Sequence, residues 1–250
     1  MAVCVGRSVL SSRKMQTSLS CLLLLALGIA AAPLAASVEN LFPHAVEPAS
    51  GVQFPLEMAG EESTLSLAGS AIRVKKVVFV NVQVYAVGLY LNIPKVATTL
   101  GKEFDAADAN LYKQLLVGDS VIPLALRLTM VRTVGGDTMS GALKEAVEPR
   151  MKTIAAKSGA DVPSALTAFG AMFDMSSLPD GTTLVFQWKA GGVLSVEIGG
   201  KSKGEVSSPA LCAALFGVFL DDQAVVERSD LVGRLPALLA ASAVEQPAQE

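Results

Sequence analysis

Arg73 and Tyr85 are the residues of this chain whose types and spacing offer recognition chemistry. Both lie in Gly69–Asn92, GSAIRVKKVVFVNVQVYAVGLYLN, a stretch dense in Val, Ile, Phe and Tyr that reads as strand. A guanidinium and a phenol framed by apolar strand residues suit the head of an anionic ligand with a greasy body. A second reading fits the same residues: Arg73 and Lys75 line a solvated strand face while Tyr85 packs in the core. Spacing alone favours this second reading, because charged residues are mostly exposed.

Other reactive side chains are scarce. The single histidine is His44, in Phe42-Pro43-His44-Ala45, which leaves no material for histidine triads or His metal clusters. Of three cysteines, Cys4 and Cys21 lie near the N-terminus, and Cys212 sits in the apolar run Ala210–Leu215. One thiol among Ala and Leu reads as buried and inert, and builds neither a disulfide nor a metal site. No GxGxxG or GxxxxGK pattern occurs, so no nucleotide site and no cofactor is expected. Net charge is −3, with no basic cluster longer than Lys75-Lys76, so nucleic acid is not an expected partner.

The elements that must position Arg73 and Tyr85 follow from pattern. Val52–Met58 and Thr64–Ala68 read as short strands around Gly60-Glu61-Glu62. Ile72–Leu91 is too long for one ordinary strand, and its even positions form an apolar face. As one continuous strand it would separate Arg73 from Tyr85 by about 40 Å, at roughly 3.3 Å per residue. A hairpin turning near Phe79-Val80-Asn81 would instead set them opposite each other, with Asn81 the only turn residue on offer. Phe104–Leu116 reads as helix entered at Asp105, and Ile122–Thr133 as a core strand. Asp137 is a good N-cap for a helix to about Ala156, with Pro149 expected to kink or interrupt it. Pro163–Met172 is helical. Thr182–Lys189 and Val193–Ile198 make a hairpin through Ala190-Gly191-Gly192, which Lys201–Val206 extends. Ser207 or Ser208 caps a helix to Phe219 with Pro209 in its first turn, and a last helix starts at Ser229 or Asp230. Strands first, helices in the middle, a returning hairpin and closing helices spell α+β with an antiparallel sheet.

Hydrophobic residues make up 51% of the chain and mean hydropathy is +0.48. Part of this comes from residues 1–37, which hold no Asp or Glu, three cations, many Ser, and an apolar run from Leu19 to Ala32. The run is too short to span a bilayer comfortably and matches the core of a signal peptide. The acid-free, Ser-rich stretch before it points to organelle import, with plastid expected and secretory or mitochondrial routes as alternatives. The expected organisation is a targeting leader at 1–37, a linker or extended arm at 38–51, one domain at 52–241 and a flexible tail at 242–250. No stable membrane span is expected once the leader is removed.

Three phrases in order resemble one family. Arg73 with Lys75-Lys76 and Val84-Tyr85-Ala86-Val87-Gly88-Leu89-Tyr90 is similar to the first hairpin of the chalcone isomerase fold. The central strand and helix between Leu124 and Met151 follow. Phe216-Gly217-Val218-Phe219-Leu220-Asp221-Asp222, with Leu231-Val232-Gly233-Arg234-Leu235-Pro236, resembles that family's closing helices. The resemblance covers roughly Val52 to Ala240 and is closest to the non-catalytic, fatty-acid-binding branch. It implies an open-faced β-sandwich of the chalcone isomerase type, an antiparallel sheet with helices layered on one face. It also implies that Arg73 and Tyr85 hold the carboxylate of a long-chain fatty acid or a similar amphipathic anion. Catalytic members, by the same resemblance, place Thr at the position of Tyr85, Tyr and Asn seven apart on the following helix, and a further polar residue on the penultimate helix. Here those positions carry Thr138, Glu145 and Val218, so only Arg73 is kept. Glu145 would repel an anionic substrate, and Val218 cannot donate a hydrogen bond. A non-catalytic binder is expected, with an intramolecular lyase on another substrate as the alternative and a regulatory protein with an empty pocket as a third reading.

The leader makes a direct prediction. Residues 1–37 fused to a fluorescent protein should carry it into plastids, read by confocal microscopy; accumulation in the secretory pathway or in mitochondria would refute the plastid address.

Overall fold

The computed structural model describes residues 43–100, 105, 109–116 and 122–244. In chain order the strands are β1 (His44–Val46), β2 (Gln53–Pro55), β3 (Glu57–Ala59), β4 (Thr64–Val77), β5 (Val80–Leu91), β6 (Leu124–Met130), β7 (Val134–Gly135), β8 (Ser177–Leu178), β9 (Thr183–Lys189), β10 (Val193–Ile198) and β11 (Lys201–Ser207). The helices are α1 (Ile93–Leu100), α2 (Ala109–Leu115), α3 (Gly136–Ser158), α4 (Val162–Ala171), α5 (Pro209–Leu220), α6 (Arg228–Leu231) and α7 (Leu235–Val244). Seven strands form one sheet in the order β11-β10-β9-β6-β5-β4-β3, with every neighbouring pair antiparallel. This is the α+β antiparallel architecture expected from the order of elements.

Alternation along the central strands divides the core in two. Tyr85, Val87, Leu89 and Leu91 of β5, with Leu124, Leu126, Leu128 and Met130 of β6, point toward the helices. There they meet Met139, Leu143, Val147 and Met151 of α3 and an α5 that is buried at every position after Pro209. A helix apolar all round belongs at the centre of a core, and Ser208 starts this one by accepting from the Leu211 amide at 3.2 Å. Cys212 lies on it, and burial pushes its thiol up to about 12. The opposite face of the sheet carries a smaller cluster of Phe54, Leu65, Leu67, Ala86, Tyr90 and Ala125. There the Tyr90 hydroxyl donates to the Pro55 carbonyl at 2.9 Å. Gly88 makes room for this layer, since a Cβ on it would stand 2.8 Å from the Phe54 ring.

Several local expectations are revised. The β4–β5 hairpin turns at Val78-Phe79, one to two residues before the expected position, so the apolar even-numbered face does not continue through it. Val74, Val78 and Val80 are exposed. Helix α1 was not expected; Asn92 Oδ1 accepts from the Lys95 amide at 2.9 Å, and Pro94 lies in the first turn. Helix α3 begins at Gly136 behind an N-cap at Gly135, so Asp137 sits inside the first turn, where its charge still favours the helix dipole. Pro149 does not interrupt α3, whose buried Val147 and Met151 hold the turns on either side against the core. The closing helix divides into α6 and α7, because the Arg234 amide leaves the helical path to donate to the Ala68 carbonyl at 2.8 Å. Within the stretch expected as linker, β1 forms and pairs with β2, which lies in the expected Val52–Met58 strand, and Glu47 closes their connection by accepting from the Ala49 and Ser50 amides at 3.1 and 2.8 Å. The leader at 1–37, residues 38–42 of the expected linker, residues 104 and 106–108 of the expected Phe104–Leu116 helix, and tail residues 245–250 lie outside the described residues. Among the described residues no helix is long and apolar enough to cross a membrane.

Helix α6 lies directly on β4 at Gly69, where an added Cβ would clash with the backbone of Asp230 and Leu231. Gly69→Ala should therefore cost about 1–3 kcal/mol by overpacking. Gly141→Ala, on an exposed α3 position with open space around it, should gain roughly 0.5–1 kcal/mol. Urea midpoints check both, and a Gly69→Ala protein as stable as the wild type would show that the contact is not tight.

Candidate functional site

Arg73 and Tyr85 are direct partners across the β4–β5 ladder. Their orientation toward the helices depends on a register shift between Leu67 and Gly69. Before it, Leu65 and Leu67 face the smaller cluster; beyond it, Ala71 faces the helical core, and Arg73 follows two residues later on the same side.

The guanidinium of Arg73 is half used. Its Nη1 donates to the Val225 carbonyl at 2.9 Å and, more weakly, to its neighbour Val74 at 3.2 Å. Nε and Nη2 find no hydrogen-bond partner among the described residues, which leaves donors for a carboxylate. Tyr85 is buried, its ring tilted at 60° against Phe219 with centroids 6.4 Å apart. Its hydroxyl likewise has no partner among the described residues. Burial pushes this phenol from its ordinary 10.0 to about 12, with Arg73 pulling the other way, so it is a neutral donor at physiological pH.

Both residues open on a cavity of about 130 Å³. Lys75, Val84, Val134, Val218 and Val225 line it with them, and α3 contributes Thr138, Met139, Ala142, Leu143 and Ala146. Of the positions singled out in the sequence, Arg73, Tyr85, Thr138 and Val218 come together here. Glu145 does not line the cavity and is exposed, so the repulsion expected from its carboxylate falls away. It lies on the Thr138 side of α3, just off the arc that Thr138, Ala142, Ala146, Met139 and Leu143 span.

Sequence reasoning missed the residues that hold this site. Arg150 grips Asp221 through two bonds, Nε to Oδ2 at 2.6 Å and Nη2 to Oδ1 at 2.9 Å. Its Nη2 also donates to the Gln223 carbonyl at 2.9 Å and its Nη1 to the Ala146 carbonyl at 2.7 Å. The loop so fixed to α3 is the one that presents the Val225 carbonyl to Arg73. No sequence signal links Arg150 to Asp221.

A larger cleft of about 620 Å³ lies between the Glu61–Ser63 turn, Asn92–Thr98 and Gln187–Ala190. It contains neither Arg73 nor Tyr85, two carboxylates, Glu61 and Glu62, share its lining with Lys95, and its Lys189 is taken by Glu205 at 2.7 Å. It is therefore the poorer host for a carboxylate. No three His, Cys, Asp or Glu side chains among the described residues gather as a metal site.

The buried phenol predicts alkaline sensitivity. A folded-state value near 12 against an ordinary 10.0 means that Tyr85 contributes stability in full below about pH 10. That contribution is lost as pH rises toward 12. Thermal midpoints measured between pH 8 and 11 should fall less steeply for Tyr85→Phe than for wild type; identical slopes would contradict the burial of a neutral phenol.

Fatty-acid-binding protein 2 of Arabidopsis thaliana is 29% identical over 204 residues, covering 76% of this chain and 50% of the relative. Fatty-acid-binding protein 1 of the same plant is 27% identical over 190 residues, covering 71% and 64%. Chalcone isomerase-like protein 1 of Humulus lupulus is 25% identical over 183 residues, covering 71% and 82%. The chain thus spans about half the length of the first of these relatives. The crystal structure of an Arabidopsis thaliana fatty-acid binding protein aligns with a TM-score of 0.68 at 25% identity, over 79% of this chain and 100% of that one. Residues 46–230 match the chalcone isomerase-like family from β1 to α6, and with the shared antiparallel sheet and helical layer they make this chain a member of it.

Proposed function

We propose that this chain binds a long-chain fatty acid or a similar amphipathic anion without transforming it, its carboxylate seated between Arg73 and Tyr85. The observation that carries the reading is the pair itself. A cation and a neutral phenol stand opposite each other on adjacent strands, both with unspent donors, above an apolar cavity. A carboxylate accepting from a guanidinium forms the stronger, charge-assisted kind of hydrogen bond. The names of the Arabidopsis relatives support the same ligand class.

The cavity, at about 130 Å³, falls below the usual range of roughly 300–1,000 Å³ for ligand pockets. It accommodates the head and the first carbons. The rest of the acyl chain requires α3 to part from the sheet along Met139 and Leu143, and a methionine there re-packs readily. The alternative, an intramolecular lyase, draws on Arg73 and the Thr138 hydroxyl. Against it stand an apolar Val218 and a Tyr85 that burial keeps protonated, which leave no base at the cavity.

Displacement of a fluorescent fatty acid tests the reading. Arg73→Ala should weaken binding about ten- to a hundredfold, the equivalent of roughly 1.5–3 kcal/mol for a charge-assisted bond. Tyr85→Phe should cost about 1 kcal/mol, near fivefold, and Lys75→Ala less than Arg73→Ala. Equal affinity in wild type and Arg73→Ala would discard the carboxylate site. Closure of a chalcone followed by absorbance should stay at its spontaneous rate, whereas turnover abolished by Arg73→Ala would make the protein an isomerase.

A further inference from the structure

The β4–β5 hairpin runs past the sheet it belongs to. β6 pairs with β5 only from Tyr85 onward, with one further bond from the Val131 amide to the Val84 carbonyl at 3.2 Å. The pairs Val74–Gln83, Lys75–Val82, Lys76–Asn81 and Val77–Val80 therefore form a two-stranded ribbon with no third strand among the described residues, about 13 Å long at roughly 3.3 Å per residue.

The end of this ribbon is apolar and bare. Val77 is 48% exposed, Val78 77%, Phe79 91% and Val80 63%. Two-residue hairpin turns strongly prefer Asn-Gly or Asp-Gly, because their central residues need positive φ. Here Val-Phe occupies the turn, and Val78 is held at φ 55°, the one positive-φ residue other than glycine among the described residues. A β-branched residue in that region is strained. Neither folding nor solubility gains from four exposed apolar residues on a strained, unpaired ribbon, and such features point to a contact surface.

The charges around the tip select the partner. Lys75 and Lys76, adjacent on an extended strand, put one cation on each side of the ribbon. Arg132, exposed, shares a cleft with Val74 and Val82 at the ribbon's flank. No acidic residue occurs between Glu62 and Glu103, so nothing on the hairpin opposes them. An apolar wedge with cations set behind it matches a bilayer interface, which takes up apolar side chains to a depth of about 5–10 Å while anionic headgroups meet the lysines.

We propose that the Val77–Val80 tip docks the protein on anionic lipid bilayers. The ribbon's base carries Arg73 and Lys75, both lining the cavity already described, so docking turns that cavity toward the surface where amphipathic anions partition. Ligand transfer along this route rests on the fatty-acid reading above; the docking itself does not.

The test places a reporter at the tip of the full chain. Phe79→Trp adds an indole in a protein whose single native Trp188 is 3% exposed and contributes a constant background. On vesicles of mixed phosphatidylcholine and phosphatidylglycerol, the introduced indole should shift its emission to the blue and be quenched by brominated lipid. Residues 1–41 are common to every variant, so differences between variants report the tip. Adding Lys75→Ala and Lys76→Ala should lower partitioning on the order of tenfold. Adding Val78→Asp should abolish both the shift and the quenching. Circular dichroism matching the wild type certifies that each variant is folded. Emission and quenching unchanged by the anionic vesicles would overturn the proposal. So would a blue shift that grows with protein concentration in the absence of lipid, which would assign the tip to a second copy of the chain.

Discussion

The register of β4 against β5 is the constraint on which the rest of this molecule depends. Side chains alternate along a strand, so a slip of one residue would exchange the two faces of the sheet. The irregularity between Leu67 and Gly69 performs that exchange on β4, while a second one, between Arg73 and Val74, places the extra residue, Val84, on β5. On one side of the first, β4 feeds Leu65 and Leu67 to the layer beneath Phe54; on the other it feeds Ala71 to the helical core and carries Arg73 to the cavity. Without the extra residue on β4 the guanidinium would face the opposite layer, and Tyr85 would have no cation across from it. Gly69 stands at the same point, where α6 comes too close for any Cβ.

A second set of contacts turns this register into a site. Arg150 spans α3 and the loop after α5, and its paired bonds to Asp221 use the planar fork that makes arginine suited to carboxylates. The side chains are partly shielded, at 16% and 31% exposure, so the pair is neither a free surface contact nor a deeply desolvated one. Its consequence is positional. The loop it holds delivers the Val225 carbonyl to Arg73 Nη1, which fixes one arm of the guanidinium and leaves the other free. Two arginines thus act in series, one holding the backbone that holds the other.

The cavity so formed gathers its polar groups at one end, which is the basis of the proposed anion site. Tyr85 is kept protonated by burial, Thr138 offers one hydroxyl, and α3 otherwise presents Met139, Ala142, Leu143 and Ala146. Stabilising charge that develops during a reaction needs several donors aimed at one place, and this lining supplies them only at the Arg73–Tyr85 end. In this member of the chalcone isomerase-like family the polar groups of the cavity lie at one end and an apolar α3 face at the other.

Local chemistry was legible in the chain by itself. The Ala190–Gly192 connection with its flanking strands, the Ser208-Pro209 start of α5, the burial of Cys212 and the antiparallel α+β class all rest on residues within a few positions of one another. The opposition of Arg73 and Tyr85 was available only as a hairpin hypothesis strengthened by resemblance, because the turn at Val78-Phe79 carries no turn residue. Tertiary structure alone decided the face Arg73 occupies, since a single-residue bulge leaves no mark on composition or period. It also decided that Glu145 stays off the cavity, that Pro149 is carried within a continuous helix, and that Arg150 meets Asp221 across 71 positions. These outcomes depend on which distant surfaces must be buried together, and propensity within a window of a dozen residues holds no information about that.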